Sequence, residues 1–126
     1  MSIVLDASAL LALIFDETGA DIVAASARGS AISAVNFSEV LVRIMAIDGD
    51  VGKADNAVLR LEIDVVPFDA AMARPVAELR TPTKHLGLSL GDRTCLALGM
   101  SRRSVVLTAD KDWGKLDIGI DIRLIR

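Results

Sequence analysis

At 126 residues the chain has the size of one compact domain, residues 1–126, with little room for a second. Its 14 basic and 17 acidic residues leave a formal charge of −3, which argues against broad nonspecific attraction to nucleic acid but not against an acidic centre neutralised by metal. Aromatics at 3% with no Tyr are too few for a platform that stacks single-stranded bases. Hydrophobic residues reach 52% and mean hydropathy is +0.49, which predicts apolar surface patches and hence an oligomer or a bound partner. Cys95 is the only cysteine, so no intrachain disulfide forms and a reducing, cytoplasmic setting fits. The apolar run from Ala7 to Phe15 is too short to span a bilayer and has no basic residues before it, so neither a membrane anchor nor a signal peptide is expected.

Short β-type runs alternate with longer helical patterns. "SIVLD" reads as the first strand, followed by helices over Ser8 to Phe15 and roughly Thr18 to Arg28. "AISAV" (31–35) is a second strand. "NFSEVLVRIMAI" is a helix with Phe37, Val40, Leu41, Ile44 and Ile47 on one side, a spacing of three and four, and Gly49 ends it. Lys53 to Glu62 is helical. "IDVVPF" is a third strand, placed at an edge because Pro67 cannot donate to a ladder. Ala70 to about Arg80 is a helix, "TPTKHLG" a loop, "SLGDRTCLALGMSRR" a helix, "SVVLTA" a fourth strand and "DIRLIR" a short last one. This alternation implies βαβ units and a mostly parallel sheet covered on both faces. Ligands in such folds sit beyond the carboxyl ends of the strands, where the strand order reverses.

Four carboxylates point to that edge. Asp6 ends the first strand and Asp110 the fourth; Glu39 lies in the first turn after the second strand, and Asp92 in the first turn of the helix leading into the fourth. Each has a plain structural reading. Asp6 and Asp110 can be helix caps. Asn36 with Glu39, and Ser89 with Asp92, have capping-box spacing. Glu39 can also pair with Arg43 four residues on. Against that, Asp92 shares a helix face with Cys95, Leu96 and Gly99, so it points inward. Carboxylates gathered at one site repel one another, and a divalent cation is the usual remedy. Hard oxygen ligands suit Mg²⁺ or Mn²⁺. Asp69, after the third strand, is a fifth candidate that local pattern alone does not reject.

Four segments, "IVLDASALLAL", "NFSEVLVRI", "LSLGDRTCLALG" and "VVLTADKDW", occur in order and in register. On these the sequence resembles the PIN-domain ribonucleases, and among them the VapC-type toxins of bacterial toxin–antitoxin pairs, over the whole chain. The resemblance implies a three-layer α/β/α domain with a central five-stranded sheet of order 3-2-1-4-5. It implies Mg²⁺-dependent RNA cleavage by a toxin restrained by a cognate antitoxin protein, and a homodimer. The family's acidic residues correspond to Asp6, Glu39, Asp92 and Asp110. Asp6 and Asp92 would bind the metal, Asp110 would complete the site directly or through water, and Glu39 would orient or deprotonate the attacking water. Ser8 and Thr108 correspond to supporting hydroxyls, and Asp112 to a position that is often acidic. The same strand order puts the third strand at the far edge and leaves Asp69 as a helix cap.

The other residues have simpler readings. His85 has no second His or nearby Cys, so no zinc set is expected. Cys95 reads as an inert core thiol, and Trp113 as a packing anchor. Arg93, Arg102, Arg103, Lys111 and Lys115 fall near the ends of the elements carrying Asp92 and Asp110, as solvated charge or as phosphate contacts. Two other functions compete with a nuclease. One is a receiver-like phosphoacceptor domain using Asp69, disfavoured because Asp6 is followed by Ala7 rather than by a second acid. The other is a PIN-like scaffold that binds partners without catalysis.

Overall fold

The computed structural model describes residues 2–126. Five short strands form one sheet: β1 (Ile3–Leu5), β2 (Ala31–Ser33), β3 (Asp64–Val66), β4 (Val105–Thr108) and β5 (Asp121–Leu124). Their order is β3-β2-β1-β4-β5, as the resemblance implies, and every pairing is parallel. Leu5 faces Ile32 on one side and Leu107 on the other. The order reverses between β1 and β4, because the chain first winds outward to β3 and then returns to the other side of β1. β3 lies at the edge, and Pro67 follows it immediately.

β1 and β4 are buried along their whole length, which is why they read as continuous apolar runs instead of alternating ones. Side chains alternate between two cores. Ile3, Leu5, Val105 and Leu107 pack with helices α1 (Ala7–Phe15), α2 (Ala20–Ser26), α3 (Ala34–Ile47) and α4 (Gly52–Arg60) through Leu10, Val23, Val40, Ile44 and Ala54. Val4 and Val106 pack on the other face with α5 (Ala70–Glu78) and α7 (Leu90–Arg102), through Val76, Leu96 and Leu98, and with Trp113. The result is the expected three-layer arrangement. Among the described residues, no helix is long and apolar enough to cross a membrane.

The structure corrects local assignments. "TPTKHLG" is not a loop: Arg80–Thr83 form a short helix, α6, and Lys84–Leu86 a 3₁₀ turn. β2 ends at Ser33, and α3 begins at Ala34, two residues before the predicted start. Ser33, not Asn36, is the cap; its hydroxyl oxygen accepts the Asn36 backbone N–H at 3.0 Å. Both are good cap formers, and the end of pairing with β3 at Ser33–Val66 decides between them.

Candidate active site

The site is assembled at the carboxyl ends of β1 and β4. Asp6 leaves β1 and caps α1: its Oδ1 accepts the Ala9 backbone N–H at 2.8 Å and the Ser8 hydroxyl at 2.7 Å. Its Oδ2 accepts the Thr108 hydroxyl, from the end of β4, at 2.5 Å. The two hydroxyls are themselves held from behind. Ser8 Oγ accepts the Ala109 N–H at 2.8 Å, and Thr108 Oγ1 accepts the Asp110 N–H at 3.0 Å. Asp6 is therefore both a cap and the floor of a cleft, with 6% exposure. Burial raises its carboxyl from an ordinary 3.8 to about 6; the hydroxyl and amide donors pull the other way, and the nearby Asp92 charge adds to the rise.

Asp6, Glu39, Asp92 and Asp110 line one cleft of about 330 Å³, together with Ser8, Asn36 and Arg43. Asp92 comes from the first turn of α7, in the reciprocal capping box expected there. Ser89 Oγ accepts the Asp92 N–H at 3.1 Å and Asp92 Oδ2 accepts the Ser89 N–H at 3.0 Å. Beneath it Cys95, Leu96 and Gly99 are buried. The Cys95 thiol is pushed well up by burial and then by the charges of Asp6, Asp92 and Glu39, which makes it inert. Asp110 caps the 3₁₀ turn Lys111–Lys115 by accepting the Asp112 N–H at 3.0 Å.

Glu39 departs from expectation. With α3 starting at Ala34, it lies in the second turn, and the Asn36–Glu39 capping box does not form. Nor is it in an ion pair with Arg43, which is in none among the described residues. Its Oε1 instead accepts the Asn36 amide at 2.8 Å. Asn36, Gly91 and Arg43 were legible only as a cap, a helix residue and a charge partner; that they meet at the cleft depends on the packing of α3 beside α7.

Other candidates fall outside the cleft. Asp112 does not line the cleft and pairs with Lys115 at 3.2 Å. Asp69 caps α5 after the far-edge strand by accepting the Ala71 N–H at 3.1 Å, and it does not line the cleft that the other four acids share. His85 is exposed in the 3₁₀ turn, and Trp113 is buried in the second core. Arg93 donates to the Val76 carbonyl at 3.1 Å. Arg102 pairs with Asp64 at 3.1 Å, and with Arg103 it ends α7 at the edge opposite the carboxylates.

Among the described residues, no three His, Cys, Asp or Glu side chains are grouped to hold an ion together, so the four acids share a cleft without forming a closed cage. Mg²⁺ needs less than that, since it uses one or two carboxylates and keeps several waters. Asp6 Oδ2 has one donor and a second lone pair, and Asp92 engages the cap through Oδ2 alone, leaving Oδ1. The oxygens present fit such an ion.

A doubly wound parallel sheet with acids at its switch point defines the class: an α/β domain with an acidic cleft. The PIN domain family profile matches residues 3–119, and the chain belongs to that family. Solved structures agree on the fold. The DNA-bound VapBC from Salmonella typhimurium is 16% identical, over 100% of this chain and 99% of that one, with a TM-score of 0.76. A toxin–antitoxin complex from Klebsiella pneumoniae is 20% identical, over 98% of both chains, also at 0.76. VapC20 from Mycobacterium tuberculosis, a Sarcin-Ricin loop cleaving toxin, is 19% identical over 90% of this chain and 93% of that one, at 0.74. Comparison with curated protein sequences returned no match.

Proposed function

We propose that the protein is a Mg²⁺-dependent ribonuclease of the VapC type, the toxin of a toxin–antitoxin pair, hydrolysing RNA phosphodiester bonds in the cytoplasm. The observation that carries the reading is the buried carboxylate of Asp6, held by two hydroxyls at the switch point and facing Asp92, Glu39 and Asp110 across one cleft. Asp6 and Asp92 would hold the ion. Held there, a divalent cation such as Mg²⁺ would supply electrophilic polarisation of the scissile phosphate and acidify the attacking water. Glu39 accepts a hydrogen bond from the attacking water and takes its proton. Asp110, which lines the same cleft, would complete the metal site directly or through water. Attack by water leaves a 5′-phosphate and a 3′-hydroxyl, with no role for the ribose hydroxyl as nucleophile.

The partners follow from the same reading. Several of the similar solved structures are toxin–antitoxin complexes, and a cognate antitoxin is proposed for this chain. Val42 and Met45 on α3 are 59% and 56% exposed, and such apolar positions suit a homodimer or antitoxin interface. The deciding experiment is RNA cleavage with Mg²⁺ or Mn²⁺, stopped by EDTA and restored by excess metal. Folded Asp6→Ala and Asp92→Ala proteins that cut as fast as wild type would defeat the assignment.

A further inference from the structure

We propose that Asn36 is a positioning residue for the reaction: from between α3 and α7 it holds the Glu39 carboxylate against Gly91, and so sets where Glu39 stands relative to Asp92. The inference rests on the reading of Glu39 as the group that orients the attacking water. Asn36 is 2% exposed, and its amide orientation follows from its neighbours. The Ser33 hydroxyl donates to Asn36 Oδ1 at 2.5 Å, which leaves both Nδ2 hydrogens to donate. One goes to Glu39 Oε1 at 2.8 Å and the other to the Gly91 carbonyl at 3.0 Å.

Capping alone does not account for this arrangement. The cap of α3 is Ser33, which already satisfies the Asn36 backbone N–H. The bond to Gly91 ties α3 to α7, but the second amide hydrogen goes to the tip of Glu39, an exposed and flexible side chain. Holding it costs rotamer entropy, and a charge-assisted bond is what offsets that cost. Gly91 completes the seat. A Cβ there would lie 2.6 Å from Glu39 Oε2 and 2.7 Å from Oε1, so any side chain at 91 takes the place the carboxylate occupies. Asn36 thus joins the turns that carry Glu39 and Asp92 and fixes one carboxylate against the helix that bears the other. Among the described residues, no other buried side-chain amide lines this cleft.

The test uses Asn36→Ala and Gly91→Ala, each alone and combined with Glu39→Ala, in steady-state RNA cleavage with Mg²⁺ and in urea and thermal unfolding. Asn36→Ala should lower kcat by about ten- to a hundredfold, the scale of a small misplacement, with KM within about twofold of wild type. Without Glu39, the same substitution should change the residual rate less than about twofold. Gly91→Ala should show the same pattern; its methyl meets only the end of a flexible side chain, so its thermal midpoint should stay at or above that of wild type. In unfolding, Asn36→Ala and Glu39→Ala should be coupled by about threefold or more in the equilibrium constant. Full activity in both single variants overturns the proposal, as does an equal loss with and without Glu39. A wild-type protein that cuts no RNA yet retains the coupling overturns the functional reading and leaves the clamp standing.

Discussion

Asp6 carries a conflict between stability and function. Its native carboxyl value of about 6 lies above the ordinary 3.8, so between those values the folded protein binds a proton that the unfolded chain has released. Stability from this residue is therefore fully present below about pH 4 and is lost as pH rises to about 6 and beyond. Two units correspond to about 3 kcal/mol. In metal-free protein, Asp6→Asn keeps the size and removes the charge, so its stability relative to wild type should rise between pH 4 and pH 7, by about 1–3 kcal/mol. Urea denaturation in EDTA across that range measures it, and a flat difference would contradict the origin of the shift. The same variant should lose most of its activity, because an uncharged amide oxygen holds a divalent cation more weakly than a carboxylate does. At this scale the sequence was readable in type but not in partner. Asp6 was visible as a cap or a ligand; the Thr108 and Ser8 hydroxyls that hold it come together only when β1 and β4 pair.

At the scale of elements, α7 controls the site because it bears Asp92 at one end and packs across β1, β2 and β4. Gly99 allows that approach: a Cβ there would stand 2.4 Å from Val106 Cγ2, in the middle of the second core. Ala is the better helix former by about 1 kcal/mol, yet Gly99→Ala should destabilise by about 1–3 kcal/mol, because overpacking at a buried contact outweighs propensity. Val106→Ala should recover part of that loss in the double variant, as read by thermal unfolding; additive losses would place the clash elsewhere. Gly91→Ala on the same helix should be tolerated, since only the tip of Glu39 is in its way. Capping at Ser89 was legible because Ser and Asp stand three apart before an apolar run. Capping at Ser33 was not, because Asn36 offered an equally good local signal and only the end of the sheet ladder separates them.

At the scale of the molecule, the proposed function requires a chain of net charge −3 to admit a polyanion to an acidic cleft. Cations at the edge of that cleft then matter more than total charge. Lys111 follows Asp110 directly and is exposed, whereas Arg103 ends α7 at the opposite edge of the sheet. Lys111→Glu should raise KM for RNA about three- to tenfold at low salt, with the difference shrinking as salt rises. Arg103→Glu should leave both KM and its salt dependence unchanged. Cleavage assays between 50 and 300 mM salt, on the order of the range where phosphate contacts are screened, distinguish the two. Sequence position alone grouped these cations together, since both flank elements bearing acids. Helix direction separates them, because α7 runs from the acidic edge to the other one.

The alternation of strands and helices, and the acids that end β1 and β4, are legible in the residues alone, because hydrophobic period and strand-end chemistry are local properties. So are the four segments whose order carries the family likeness. Which acids share a cleft and which, like Asp69 and Asp112, do not, follows from the packed fold, because strand order and helix direction are non-local. The same is true of Glu39. Its carboxylate is placed by an amide three residues earlier and by a glycine on another helix, through a contact that exists only once α3 and α7 are packed side by side.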